Sequence, residues 1–158
     1  MSSSELRVFP NALAEGATQL RVRYEETDCA GVGYHANSLV WFECSRTELL
    51  RKLGFTYRRL EEDGWMLTVT ELAAKYRRSV YYDDLLTIHC GIVEASGARL
   101  RIEYEVRQEN RTLCTTGFTV LGCVDTETVR PRRLPPKLVE RLNHEPTFFT
   151  LEGAFNGD

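Results

Sequence analysis

No two cysteines stand at C-x-x-C spacing, and their number is odd: Cys29, Cys44, Cys90, Cys114 and Cys123. That argues against both a zinc ribbon and a disulfide framework. No hydrophobic run approaches the length of a membrane span. The first residues, MSSSELRVFPNALAEG, lack the apolar core of a signal peptide. Excess positive charge is missing too. The net charge of the 158 residues is −3, so neither a nucleic acid nor a membrane surface is an expected partner. No repeat or low-complexity tract is visible. The expectation is a reduced, cytoplasmic protein.

What is present suits one globular domain, with 42% hydrophobic and 27% charged residues. Arginines cluster at Arg58-Arg59, Arg77-Arg78 and Arg130 to Arg133. They are either solvated strand ends or a hold for an anionic ligand.

The hydrophobic pattern divides the chain. Residues 1–16 form an N-terminal extension, 17–128 the domain, and 129–158 a C-terminal segment. Over 19–25 the period is two, with Leu20, Val22 and Tyr24 facing one way, which predicts a half-buried strand. "NSLVWFECSRTELLRKLG" predicts a helix of about 16 residues, ~24 Å long. Asn37 or Ser38 would cap it, and Gly54 would stop it. Leu39, Phe42, Cys44, Leu49, Leu50 and Leu53 would fill its apolar stripe. Four strands follow, over 65–76, 85–93, 99–107 and 112–124, separated by turns at Asp83-Asp84, Ser96-Gly97 and Asn110. Pro135 or Pro136 opens a short closing helix. The fold class is α+β: a five-stranded antiparallel sheet with one long helix. One helix cannot cover both faces of such a sheet, and its edges stay open. A homo-oligomer is therefore expected.

"ETDCAGVGYHAN", residues 26–37, carries the candidate chemistry. Gly31 to Ala36 fits the dinucleotide fingerprint G-x-G-x-x-G/A. That motif belongs after a strand buried on both faces, within βαβ units, and "LRVRYEE" alternates instead. Asp28, Cys29 and His35 could hold a metal, but His89 and His144 add no ligand spacing. Asp28 could equally make an Asx turn beside glycines with unusual backbone angles. A fourth reading is chemical. A helix N-terminus near Asn37 stabilises a developing oxyanion, with the Asp28 carboxylate close by. Such sparse machinery suits a thioester, whose thiol leaves readily at a pKa of about 8.5.

"RYEETDCAGVGYHANSLVWFECSRTELLRKLG" resembles the signature of hotdog-fold acyl-CoA thioesterases of the 4-hydroxybenzoyl-CoA thioesterase-like family. It is most similar to the branch of the Tol–Pal-associated thioesterases. The matching residues are Asp28, Gly31, Tyr34 and His35, with Glu43, Arg46 and Gly54 along the helix. "YRRSVYYDDLLTIHCGIVEASGARLRIEYEV" and "VDTETVRPRRLPPKLVERL" extend the resemblance over roughly residues 18–142. It implies a hotdog fold, the sheet wrapped around one long central helix, assembled as a dimer or tetramer. It also implies hydrolysis of a thioester of coenzyme A or acyl carrier protein, with no metal or organic cofactor. By resemblance Asp28 is the catalytic carboxylate, as nucleophile or general base. The His35 backbone N–H becomes an oxyanion donor. The His35 side chain and Tyr34 line the site, and Asn37 faces it. Arg77 and Arg78 would reach a coenzyme A phosphate. Glu43 is a rival carboxylate, expected to be structural and to pair with Arg46 or Thr47.

Three departures concern the pocket. Gly33 stands where the family often has a β-branched residue. Ser38 stands where an aromatic is common. Arg78 and Ser79 replace an apolar-Pro turn. Two alternatives keep the fold: a hydratase or dehydratase using Asp28 and His35 as acid and base, or a non-catalytic acyl-thioester binder.

Overall fold

A computed structural model describes residues 7–151. Strand β1 (Ala14–Arg21) leads through a short 3-10 turn at Tyr24–Glu26 and a loop into helix α1 (Asn37–Lys52). A six-residue helix, α2 (Tyr57–Glu62), precedes the long strand β2 (Trp65–Tyr76). Then come β3 (Leu85–Ser96), β4 (Arg99–Gln108), β5 (Leu113–Asp125), helix α3 (Pro136–Leu142) and β6 (Thr147–Phe148).

The sheet order is β2-β5-β4-β3-β1-β6. The first five strands pair antiparallel, as expected. The sixth, only two residues long, runs parallel to β1 and is an addition to the expected sheet. β1 starts at Ala14, inside the stretch assigned to the extension, because Ala14 to Arg21 pair residue by residue with β3. The alternation expected through Tyr24 stops at Val22, which is buried, whereas Tyr24 is exposed in the 3-10 turn.

The helix-facing side of the sheet is apolar. Leu86, Ile88, Cys90 and Ile92 of β3 and Leu100, Ile102, Tyr104 and Val106 of β4 are all essentially inaccessible. Burying each such side chain contributes about 1.5–3 kcal/mol. Burial pushes the Cys90 thiol up to about 12, so it packs as a neutral apolar group.

Helix α1 crosses this face diagonally. Phe42 presses on Gly117 of β5, the Ser45 hydroxyl donates to Ile88 O of β3 at 3.0 Å, and Leu49 touches Gly16 of β1. Its buried side is Ser38, Trp41, Phe42, Ser45, Arg46, Leu49 and Leu50, a clean helical spacing. Cys44 is exposed instead, since it lies off that stripe. Arg46 takes a place in it, donating from Nε to the Tyr57 hydroxyl at 3.2 Å. Gly54, at φ 98°, ends the helix as expected.

At Gly117 helix and sheet are in close contact. A Cβ there would lie 2.6 Å from the Ala73 carbonyl oxygen and 2.7 Å from the Phe42 ring. Because the first obstacle is backbone, neither neighbour can simply rotate away. Gly117→Ala should therefore destabilise the fold by about 1–3 kcal/mol. Urea unfolding would register it as a lower midpoint with an unchanged slope.

Candidate active site

The loop from Thr27 to Gly33 closes on itself through a bridge between those two residues. The Asp28 N–H donates to Val32 O at 2.9 Å, and the Gly31 N–H donates to Asp28 O at 2.9 Å. Gly31 supplies the positive φ, 81°, that this turn requires. The Ala30 N–H donates to Oδ1 of Asp28 at 2.8 Å, so the Asx turn is real. It does not consume the carboxylate. Among the described residues Oδ2 has no partner, and Asp28 faces a cavity of about 290 Å³.

The next contact docks this loop on the segment after β2. The Gly33 N–H donates to Val80 O at 2.7 Å, and a Cβ on Gly33 would lie 2.5 Å from a Val80 methyl. Val80 thus fills the space that a side chain at Gly33 would take.

Glu26 anchors the arrangement. It is buried, and its Oε2 accepts from the Trp41 indole at 2.7 Å. Its Oε1 accepts from the Arg23 N–H at 2.9 Å and from the Arg23 guanidinium at 3.3 Å. Its backbone carbonyl accepts from the Tyr34 N–H at 2.8 Å and from the Asn37 amide at 2.9 Å. Asn37, expected to face the site, is therefore turned to Glu26 and does not line the cavity. Nor does it cap the helix, whose N-cap is Ala36 with no side-chain bond.

At the head of α1 the backbone is committed in an uneven way. Asn37, Ser38 and Leu39 donate to Tyr34, His35 and Ala36 carbonyls, at 3.0, 3.3 and 3.2 Å. The His35 N–H has no acceptor among the described residues. Its own peptide carbonyl, on Tyr34, already accepts a bond, which polarises that N–H further. The Tyr76 hydroxyl donates to His35 O at 2.6 Å and fixes the next peptide. The His35 ring lies 4.5 Å from the Tyr34 ring and 6.3 Å from Tyr76.

Of the residues singled out in the sequence, Asp28, Tyr34, His35, Arg77 and Arg78 meet around this same cavity. Both arginines are exposed, and neither forms an ion pair among the described residues. Glu43 is exposed and outside the cavity. Its expected pairing with Arg46 is absent, because Arg46 turns into the core toward Tyr57. Sequence reasoning missed Glu26, Trp41, Tyr76, Val80 and Thr115. The one local signal for Glu26 was its spacing of three residues from Arg23, as in a capping box.

The sequence profile of the thioesterase-like superfamily matches residues 22–142. The chain belongs to that superfamily. The acyl-CoA thioesterase YbgC of Haemophilus influenzae is 39% identical over 127 residues, 79% of this chain and 92% of that protein. The acyl-CoA thioester hydrolase YbgC of Escherichia coli is 32% identical over 120 residues, 76% of this chain and 90% of that one. Among solved structures, the DHNA-CoA thioesterase from Staphylococcus aureus superposes with a TM-score of 0.78 at 35% identity. That match covers 81% of this chain and 88% of the other. The thioesterase described here therefore has the hotdog fold, and its reaction is hydrolysis of a thioester.

Removing the Glu26 carboxylate would strand the buried indole N–H. Glu26→Ala should cost about 2–3 kcal/mol and loosen the loop that carries Asp28. Glu26→Gln keeps an acceptor and should lose less. Thermal melts of the two variants should separate in that order.

Proposed function

We propose that this acyl-CoA thioesterase works in the cavity between the Asp28 loop and the head of α1. Its substrate is an acyl or aryl thioester of coenzyme A or of acyl carrier protein. Asp28 Oδ2 serves either as the nucleophile on the thioester carbonyl or as the base that takes a proton from water. The carbonyl oxygen, turning into an oxyanion, accepts from the His35 N–H at the positive end of α1. The thiolate then leaves without needing a strong acid. The His35 and Tyr34 rings line the entrance, and Arg77 and Arg78 attract the phosphates of coenzyme A.

The observation that carries this reading is the pairing of two uncommitted groups on one cavity. A carboxylate oxygen and a backbone N–H, neither with a partner among the described residues, belong to two residues that line the same cavity. The acyl-CoA substrates named for the curated relatives fit it. A cytoplasmic, reducing setting fits the five free thiols.

The oligomer follows from the far edge of the sheet. β2 has an open side, and Val69, Leu72 and Tyr76 on it are 38%, 47% and 51% exposed. A 12-residue strand with apolar side chains and no proline is a template for another chain. A second copy of this chain covers it, and since Tyr76 also lines the cavity, the subunit contact adjoins the site.

Asp28→Ala should lower kcat on the best acyl-CoA by about 10²–10⁴-fold while circular dichroism stays native. Thiol release followed with a chromogenic thiol reagent measures it, and full activity in the variant would remove Asp28 from the mechanism. Light scattering at micromolar concentration should give a mass of at least two chains. A monomer would refute the covered edge.

A further inference from the structure

The backbone on either side of the His35 N–H is tied down by a set of hydrogen bonds. The Gly33 N–H donates to Val80 O at 2.7 Å, and the Tyr34 N–H donates to Glu26 O at 2.8 Å. Tyr34 O accepts from the Asn37 N–H at 3.0 Å, and His35 O accepts from the Ser38 N–H at 3.3 Å. His35 O also accepts from the Tyr76 hydroxyl, at 2.6 Å. All but the last of these have main chain at both ends. The Tyr76 bond alone comes from a side chain, so a substitution can remove it and leave the main chain unaltered.

The first turn of α1 explains why a side chain is needed there. Asn37, Ser38 and Leu39 each donate three residues back rather than four, the tighter and poorer geometry of a 3-10 turn. At 3.3 Å the Ser38 bond is long for an N–H donor, whereas at 2.6 Å the Tyr76 bond is short for a hydroxyl. The hydroxyl therefore sets the direction of the His35 carbonyl. With α1 fixed downstream, a rotation of the His35 backbone would swing its N–H, and a held carbonyl removes that freedom. Tyr76 is itself held. It ends β2 and pairs with Thr115. Directly after it, the Arg77 and Arg78 N–H groups both donate to Cys114 O, at 2.8 and 3.1 Å. The segment from Tyr76 to Val80 thus braces the site twice: the Asp28 loop through Val80 O, and His35 through the Tyr76 hydroxyl.

We infer that Tyr76 is a positioning residue for thioester hydrolysis: its hydroxyl, by holding the His35 carbonyl, aims the His35 N–H at the developing oxyanion. The inference rests on the reading of that N–H as the oxyanion donor. The Tyr76 proton is committed to His35 O, so the hydroxyl acts through the backbone rather than on the substrate. A donor aimed at charge that develops only in the transition state contributes there and little to substrate binding. Loss of the hydroxyl should therefore appear in kcat and leave KM alone.

Tyr76→Phe is the test, because the edge-on contact of its ring with the His35 ring, at 87°, needs no hydroxyl. The lost bond is an exposed one, so thermal melting and the mass in solution should stay those of the wild type. On the best acyl-CoA, kcat should fall about 10–100-fold, the scale on which a misplacement of about 1 Å acts, with KM unchanged. The factor should be the same at every pH at which the protein is folded. Tyr76→Leu, which removes the ring as well, should lose no less. Full kcat in Tyr76→Phe overturns the inference, and so does a loss seen only in Tyr76→Leu, which would assign the role to the ring. A raised KM at unchanged kcat would make the hydroxyl a binding group, and a loss confined to one limb of the pH profile would make it a proton donor. A loss that accompanies dissociation would make Tyr76 an interface residue. Each of these three results also overturns it. Asp28→Ala, measured alongside, separates the two readings: if it is inactive while Tyr76→Phe is fully active, only the role of Tyr76 falls, and if it is fully active, the site itself is wrong.

Discussion

Glu26 acts from both ends, and the site depends on it. Its carboxylate reaches inward to the Trp41 indole, and its carbonyl reaches along the chain to Tyr34 and Asn37. The first contact ties the strand-to-helix passage to the body of α1. The second ties the far end of the Asp28 loop back to its beginning. With both ends fixed, the six residues between Thr27 and Tyr34 have little freedom left, and the carboxylate of Asp28 needs no further anchor than its own Asx turn. This is how a loop that is exposed over most of its length can hold a carboxylate steady. The cost of burying a carboxylate is offset by charge-assisted bonds from Trp41 and Arg23.

The diagonal run of α1 decides where the chemistry sits. Starting over β5 and ending over β1, the helix brings its N-terminus to the side of the sheet whose outer strand, β2, is open. The positive end of the helix, the end of β2 and the start of β5 therefore converge at one corner. Phe42 against Gly117 is the contact that permits this approach. A larger residue at 117 would lift the helix away and open the floor of the cavity to solvent. The site and the free edge are thus consequences of the same crossing, which is why Tyr76 belongs to both.

Much of this was legible because it was periodic or chemical. The strand at 65–76 matches its expected bounds, and the helix from Asn37 to Lys52 ends at the expected glycine. Asp28, Tyr34, His35, Arg77 and Arg78 were visible as residue types that chemistry needs. What escaped was set by tertiary pairing. Ala14 to Gly16 carry little strand signal of their own and are strand because β3 lies alongside. β6 is two residues held by β1, and α2 is six residues long, too short for a period to declare itself. Asn37 has the composition of a helix cap, but the Glu26 carbonyl outcompeted the helix for its amide. Arg46 and Cys44 exchanged their expected places because the Tyr57 hydroxyl offers the guanidinium a bond in the interior. Thr115, a threonine within an alternating strand, carries no local mark of its role. Only the helix crossing above it turns it into cavity floor.

The departures from the family pattern acquire a common meaning in this geometry. Gly33 has no side chain, and the Val80 methyl occupies the space that one would need. Ser38 stands in place of an aromatic at the first turn of α1, where a large ring would project onto the cavity floor. The exchange at Ser38 removes volume and adds a donor and an acceptor. Neither exchange alters the Asp28 carboxylate or the His35 N–H, the two groups at the mouth that have an atom without a partner among the described residues.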